Sequence, residues 1–157
     1  MQQIKQLQQS YHFLLIVNDS ISLAKELDLD GVHLGQEDIS VLEAREALGP
    51  DKIIGLSTHN TMQAEQAKSL PIQYVGVGPV FPSQTKPHAK EGGLAYLEYC
   101  LKKLDTPVVA IGGITLEHIP ELKQMGLCSL AMIQGLLAAK EPNLQIQRVI
   151  AALQIKH

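Results

Sequence analysis

Residues 76–90 read G-V-G-P-V-F-P-S-Q-T-K-P-H-A-K. The run begins as a buried strand and then breaks into a loop stiffened by Pro79, Pro82 and Pro87. It is an apolar strand that delivers polar groups. Gly76 and Gly78 allow close approach to the backbone, and Ser83, Thr85 and Lys86 offer two hydroxyls and a cation within one short turn. Such a loop suits an anionic, oxygen-rich ligand, most simply a phosphate or diphosphate. Taken alone, it equally suits a surface loop rich in turn formers.

Working outward, the same grammar repeats along the chain. Ile4 and Leu7 on a glutamine-rich background are spaced as the exposed tail of an amphipathic helix. A continuous apolar run predicts a buried parallel strand over 11–17, ending at Asn18-Asp19-Ser20, where Asp19 or Ser20 can cap a helix over 21–27. Strands follow over 31–35, 53–57, 74–81, 108–111 and 130–133. The helices between and after them are expected over 41–48, 61–69, 94–103, 117–125 and 144–155. Gly49-Pro50 marks the end of the helix over 41–48.

About six strand-then-helix units in strict alternation mean a parallel sheet covered by helices. Two architectures fit. A doubly wound open sheet suits the length, but its usual glycine fingerprint after the first strand is missing. A (β/α) barrel accounts for more, because a polar or glycine cluster follows every strand: Asn18-Asp19, Gln36-Glu37-Asp38, Ser57-Thr58-His59, Ser83-Gln84-Thr85-Lys86, Gly112-Gly113 and Gln134-Gly135. Barrel enzymes gather their chemistry at that rim, although eight units need ~200 residues or more. The expected fold is therefore a TIM-type (β/α) barrel, incomplete, with about six units.

Composition narrows the function. A chain of 157 residues, 45% apolar and 18% charged, reads as one domain over 1–157 with a core of its own. The net charge of -3 and the absence of a lysine or arginine run argue against a general nucleic-acid or anionic-membrane surface, so an anion must be captured locally. Cys100 and Cys128 lie in apolar patterns and are expected as reduced core residues. No apolar run approaches the ~20 residues of a membrane span, and the first nine residues have no signal-peptide core, so the cytoplasm is the expected location.

The strand ends L-L-I-V-N-D, G-V-H-L-G-Q-E-D, I-I-G-L-S-T-H, Y-V-G-V-G-P-V-F-P-S-Q-T-K and V-V-A-I-G-G-I-T resemble, in this order and spacing, the thiamine phosphate synthase family. Its superfamily also holds the thiazole tautomerases. The resemblance runs from about residue 10 to 140 of the sequence. It implies a (β/α)8 barrel of which this chain holds units three to eight. The first two units, with the family's glutamine-x-arginine-glutamate-lysine segment, are expected to be absent. Open strand edges would then be covered by a homo-oligomer or a partner chain.

The activity implied is a transferase that joins hydroxymethylpyrimidine diphosphate to thiazole phosphate, releasing diphosphate. By the same resemblance Asp19 and Asp38 hold Mg²⁺, and Ser57 and Lys86 receive the diphosphate charge. Asn18 meets the pyrimidine, while Ser83 and Thr85 close on the thiazole phosphate. Gly112, Gly113 and the backbone at Ile133, Gln134 and Gly135 form its phosphate cup. His59 matches the proton-transfer histidine of the tautomerases, whereas in synthases the same residue lacks that role.

Plainer readings stand beside these. Asp19 and Asp38 could simply cap the helices that follow them, and Gly112-Gly113 could be only a tight turn. His33, within a strand, reads as a satisfied core histidine that could also touch ligand. The remaining histidines, His12, His88, His118 and His157, are expected at the surface, and none of the histidine spacings suggests zinc. Two departures from the family pattern are visible: Gln134-Gly135 replaces a serine and a small residue, and Glu91-Gly92-Gly93-Leu94 shortens the segment after Lys86. The alternative function is a tautomerase-like isomerase using His59, or a phosphate-binding remnant without catalysis.

Overall fold

The computed structural model describes residues 2–82 and 92–153. Five strands form one parallel sheet, β1 (Ile16–Asn18), β2 (Gly31–Leu34), β3 (Ile53–Thr58), β4 (Tyr74–Val77) and β5 (Val108–Ala110), in the order β1-β2-β3-β4-β5. Every strand neighbours its successor in sequence. A doubly wound sheet reverses its strand order at a switch point, whereas a barrel walks steadily in one direction. The sequential order therefore selects the barrel path over the open sheet. The helices are α1 (Gln2–Tyr11), α2 (Ile21–Glu26), α3 (Val41–Leu48), α4 (Thr61–Ala67), α5 (Gly93–Lys103), α6 (Ile119–Gln124), α7 (Gln134–Leu137) and α8 (Pro142–Leu153). None of them is long and apolar enough to cross a membrane.

Strand periodicity sorts the two faces. Val32, Leu34, Ile54, Thr58, Val75, Val77 and Ala110 are fully buried, and their side chains meet small helix residues such as Ala24, Ala44, Ala64 and Ala67 together with Leu97 and Cys100. The alternate positions turn to the inner face. There the register sets Asn18 beside His33, His33 beside Gly55, Gly55 beside Tyr74, and Ser57 beside Gly76. One face is thus an aliphatic core, and the other combines Ile16, Ile53 and Val109 with polar residues and glycine gaps.

At the amino ends of the strands, Arg45 of α3 donates to the carbonyls of Gly49 (2.9 Å), Lys52 (2.6 Å) and Pro71 (2.8 Å) and to Gln73 Oε1 (2.8 Å), tying two loops together. Ser40 begins α3 with a reciprocal cap: its hydroxyl accepts from the Glu43 amide while Glu43 Oε2 accepts from the Ser40 amide, each at 3.2 Å. Replacing Ser40 by Ala is expected to cost about 1 kcal/mol. A thermal melt of that variant at unchanged activity checks this.

Several boundaries differ from expectation. The strand over 11–17 shrinks to Ile16–Asn18, because α1 runs through Tyr11 and turns out at His12, whose φ is 49°. The strand over 74–81 stops at Val77, since Pro79 has no N–H to continue the ladder; Val80 N still donates to Ile111 O at 2.9 Å. The sixth strand over 130–133 is a single bridge between Leu130 and Ala110. Its partner strand ends there, because the chain leaves the sheet at Gly112, whose φ is 86°. Cys100 is buried as expected, but Cys128 lies exposed in the segment after α6, so it is not a core residue.

Candidate active site

The carboxyl ends of β1, β2 and β3 bring Asn18, Asp19, Asp38, Ser57 and His59 to one rim, through strand pairing and short loops. Asp19 follows β1 with φ 64°, a conformation Asp tolerates better than most residues, and its amide donates to the His33 carbonyl at 2.9 Å. Neither carboxylate caps a helix. Ser20 and Ser40 occupy the cap positions, with Ser20 Oγ accepting from the Leu23 amide at 3.2 Å. Asp38 Oδ2 instead accepts from the Gly35 amide at 2.6 Å, which closes the turn after β2 and leaves Oδ1 for another partner. Asn18, Asp19 and Asp38 are all exposed.

Ser57 is held from two sides. Its carbonyl accepts from Gln36 Nε2 at 2.7 Å, and its hydroxyl lies 2.8 Å from His33 Nε2. His33, expected as a satisfied core histidine, has both ring nitrogens engaged, with Nδ1 2.9 Å from the Tyr74 hydroxyl, but it is half-buried on the inner face and not in the core. Tyr74 and Gln36 escaped the sequence reading as site residues. Burial pushes the Tyr74 phenol above its ordinary pKa, so it stays protonated. His59 Nδ1 lies 2.6 Å from the Gly78 carbonyl. A carbonyl only accepts, so Nδ1 is the donor in this contact.

The loops after β4 and β5 lock into one another. Gly112 (φ 86°) and Gly113 (φ 65°) form a turn whose backbone is pressed against 79–82; a Cβ on Gly113 would sit 2.4 Å from the Phe81 carbonyl oxygen. Phe81 N donates to Gly112 O at 3.2 Å. His118, expected at the surface, is half-buried and stacks on Phe81, with centroids 3.6 Å apart and planes at 9°. The reason is the short 3₁₀ turn Leu116–His118, in which His118 Nδ1 accepts from the Thr115 amide at 3.1 Å and aims the ring inward.

Ile133 caps the short helix α7, which Gln134 and Gly135 begin, so these residues end no strand. Gly135 packs closely on the segment after β5, where a Cβ would meet the Ile114 carbonyl oxygen at 2.6 Å. The turn of Gly112-Gly113 and the start of α7 are thereby neighbours. Ser83, Thr85 and Lys86 lie outside the described residues. Among the described residues, no group of three or more His, Cys, Asp or Glu side chains is placed to hold a metal. A pair of carboxylates at neighbouring strand ends is the donor set available, and Mg²⁺ accepts such a pair when substrate oxygens and water complete its shell.

The family model for thiamine monophosphate synthase matches residues 1–136. A thiamine-phosphate synthase from Methanobrevibacter smithii is 38% identical over 154 residues, covering 98% of this chain and 74% of that protein. Its counterpart from Lawsonia intracellularis is 39% identical, covering 98% and 71%. Among solved structures, thiamine phosphate pyrophosphorylase from Pyrococcus furiosus superposes with a TM-score of 0.86 at 32% identity, covering 94% of this chain and 71% of that one. A 3-hexulose-6-phosphate synthase from Salmonella typhimurium shares the fold alone, with a TM-score of 0.73 at 14% identity. Matched along most of its length in sequence and in backbone, the chain belongs to the thiamine monophosphate synthase family.

Proposed function

We propose that this chain is a thiamine-phosphate-forming transferase, which couples hydroxymethylpyrimidine diphosphate to thiazole phosphate in the cytoplasm. The bond between the pyrimidine methylene carbon and the diphosphate oxygen breaks, the thiazole nitrogen bonds to that carbon, and diphosphate leaves. The observation that carries the reading is the meeting of Asn18, Asp19, Asp38 and Ser57 at three adjacent strand ends, in a chain of this family.

In this reading each group has one task. Asp19 and Asp38 hold Mg²⁺, which when bound supplies positive charge to the leaving diphosphate. The fit rests on donor chemistry: both carboxylates are exposed at the rim, and Asp38 is anchored through one oxygen only. Ser57 donates its hydroxyl to a diphosphate oxygen, and Lys86 adds charge from its loop. Asn18 meets the polar edge of the pyrimidine. Ser83 and Thr85 close on the thiazole phosphate, while Gly112, Gly113 and the backbone at Ile133, Gln134 and Gly135 cradle it. The tight turn and its proximity to α7 support that cradle.

Purified chain given both substrates is expected to form thiamine phosphate with Mg²⁺ and to stop when the metal is chelated. Metal-independent product, or none where a relative of known activity turns over in the same assay, would overturn the reading.

A further inference from the structure

On the inner face of the sheet, three neighbouring strands contribute a continuous polar chain. His33 of β2 lies between two hydroxyls, Tyr74 Oη of β4 at 2.9 Å from Nδ1 and Ser57 Oγ of β3 at 2.8 Å from Nε2. The His33 and Tyr74 rings stack with centroids 5.4 Å apart and planes at 23°. Two glycines make the room. A Cβ on Gly55 would fall 2.1 Å from Tyr74 Cζ, and one on Gly76 would fall 3.1 Å from His33 Cε1.

In its uncharged form the His33 imidazole has one N–H and one lone pair, so two arrangements then satisfy both contacts. In the first, Tyr74 donates to Nδ1, Nε2–H donates to Ser57 Oγ, and the Ser57 proton is turned outward. In the second, every donor is reversed and Ser57 shows only lone pairs to the rim. A diphosphate offers acceptors alone, so only the first arrangement attracts it. The buried phenol keeps its proton and is able to donate.

We propose that Tyr74 is a positioning residue that fixes His33 as the Nε2–H tautomer, so that Ser57 presents its hydroxyl proton to an anionic substrate oxygen. The role rests on the reading of Ser57 as a diphosphate donor. It extends that reading by naming the residue that sets the direction of the hydrogen bond. Tyr74 touches no substrate in this scheme and acts through His33.

Nitrogen NMR of histidine-labelled protein at neutral pH reads the tautomer without any ligand. The expected spectrum shows His33 Nε2 protonated and Nδ1 unprotonated in the wild type and a loss of that preference in Tyr74→Phe, a variant that removes one hydroxyl and keeps the ring. Calorimetric titration with inorganic diphosphate and Mg²⁺ supplies the functional arm. Tyr74→Phe is expected to weaken binding about tenfold in the wild type and to have no further effect in Ser57→Ala, because both act on one hydrogen bond. An unprotonated Nε2 in the wild type overturns the relay, as does an equal loss from Tyr74→Phe in both backgrounds. Unchanged diphosphate binding by Ser57→Ala overturns instead the reading of Ser57 itself, and the proposal with it.

Discussion

Asp38→Asn is expected to lower turnover to thiamine phosphate by about a thousandfold while leaving the fold intact. The asparagine carbonyl can still accept from the Gly35 amide, so the turn after β2 keeps its closing hydrogen bond. What is lost is the negative charge of one of the two carboxylates that follow neighbouring strands. Removing one preorganised electrostatic partner of a developing charge typically costs 10²–10³ in rate, and a lost Mg²⁺ ligand belongs at the upper end of that range. His59→Ala is the matched control. His59 lies at the same rim, and a histidine there could move a proton, which an isomerase would need and this transfer does not. The expected pattern is thus a large loss at Asp38 and a small one at His59, read as rates of product formation across a Mg²⁺ titration. The reverse pattern would transfer the assignment to a tautomerase-like isomerase.

Much of the rim on which the candidate site is placed was legible in the sequence, for a physical reason. In a parallel βα protein the residue types just past each apolar run are the rim, whatever the tertiary path, so Asn18-Asp19, Ser57 and Gly112-Gly113 could be found by following strand ends. Strand order was less legible. Local periodicity predicts that a strand exists and says little about its neighbours; the missing glycine fingerprint disfavoured the doubly wound alternative, and the sequential pairing removed it. The sixth strand misled because Leu130 to Ile133 has an apolar strand pattern, but Gly112 takes its partner out of the sheet after one bridge.

The role proposed for Tyr74 escaped the sequence because it depends on register across three strands. Its signal was nonetheless present. Tyr74 and Gly76 share strand parity, as do Gly55 and Ser57, and glycines alternating with polar residues on one face mark a surface built for rings and ligands rather than for aliphatic packing. Cys128 shows the opposite failure. An apolar neighbourhood in sequence, G-L-C-S-L, did not bury the thiol, because Leu127 and Leu130 turn toward the core there and Cys128 between them does not.

Gly55→Ala and Gly31→Ala add the same methyl group to neighbouring inner-face positions, yet the two are expected to fail in different ways. At Gly31 the new Cβ meets the Ile53 carbonyl oxygen at 2.0 Å and its carbon at 2.7 Å. Those atoms are the backbone of the adjacent strand, which cannot swing aside without opening the β2–β3 ladder. The expected cost is about 3 kcal/mol or more, enough to remove much of the stability of a domain this size. At Gly55 the obstacle is the far end of the Tyr74 side chain, with Cζ at 2.1 Å and Oη at 2.5 Å. A ring can rotate away, so the fold loses only about 1–2 kcal/mol. The rotation, however, carries the Tyr74 hydroxyl off His33, and the displaced ring presses on the space that His33 and Ser57 occupy. Turnover in Gly55→Ala is therefore expected to fall about a hundredfold, well beyond its small shift in melting temperature. Thermal melts of both variants, set beside diphosphate binding by Gly55→Ala, separate the cases. Equal destabilisation by the two substitutions, or native binding in Gly55→Ala, would show that the glycine gap serves the sheet and not the site.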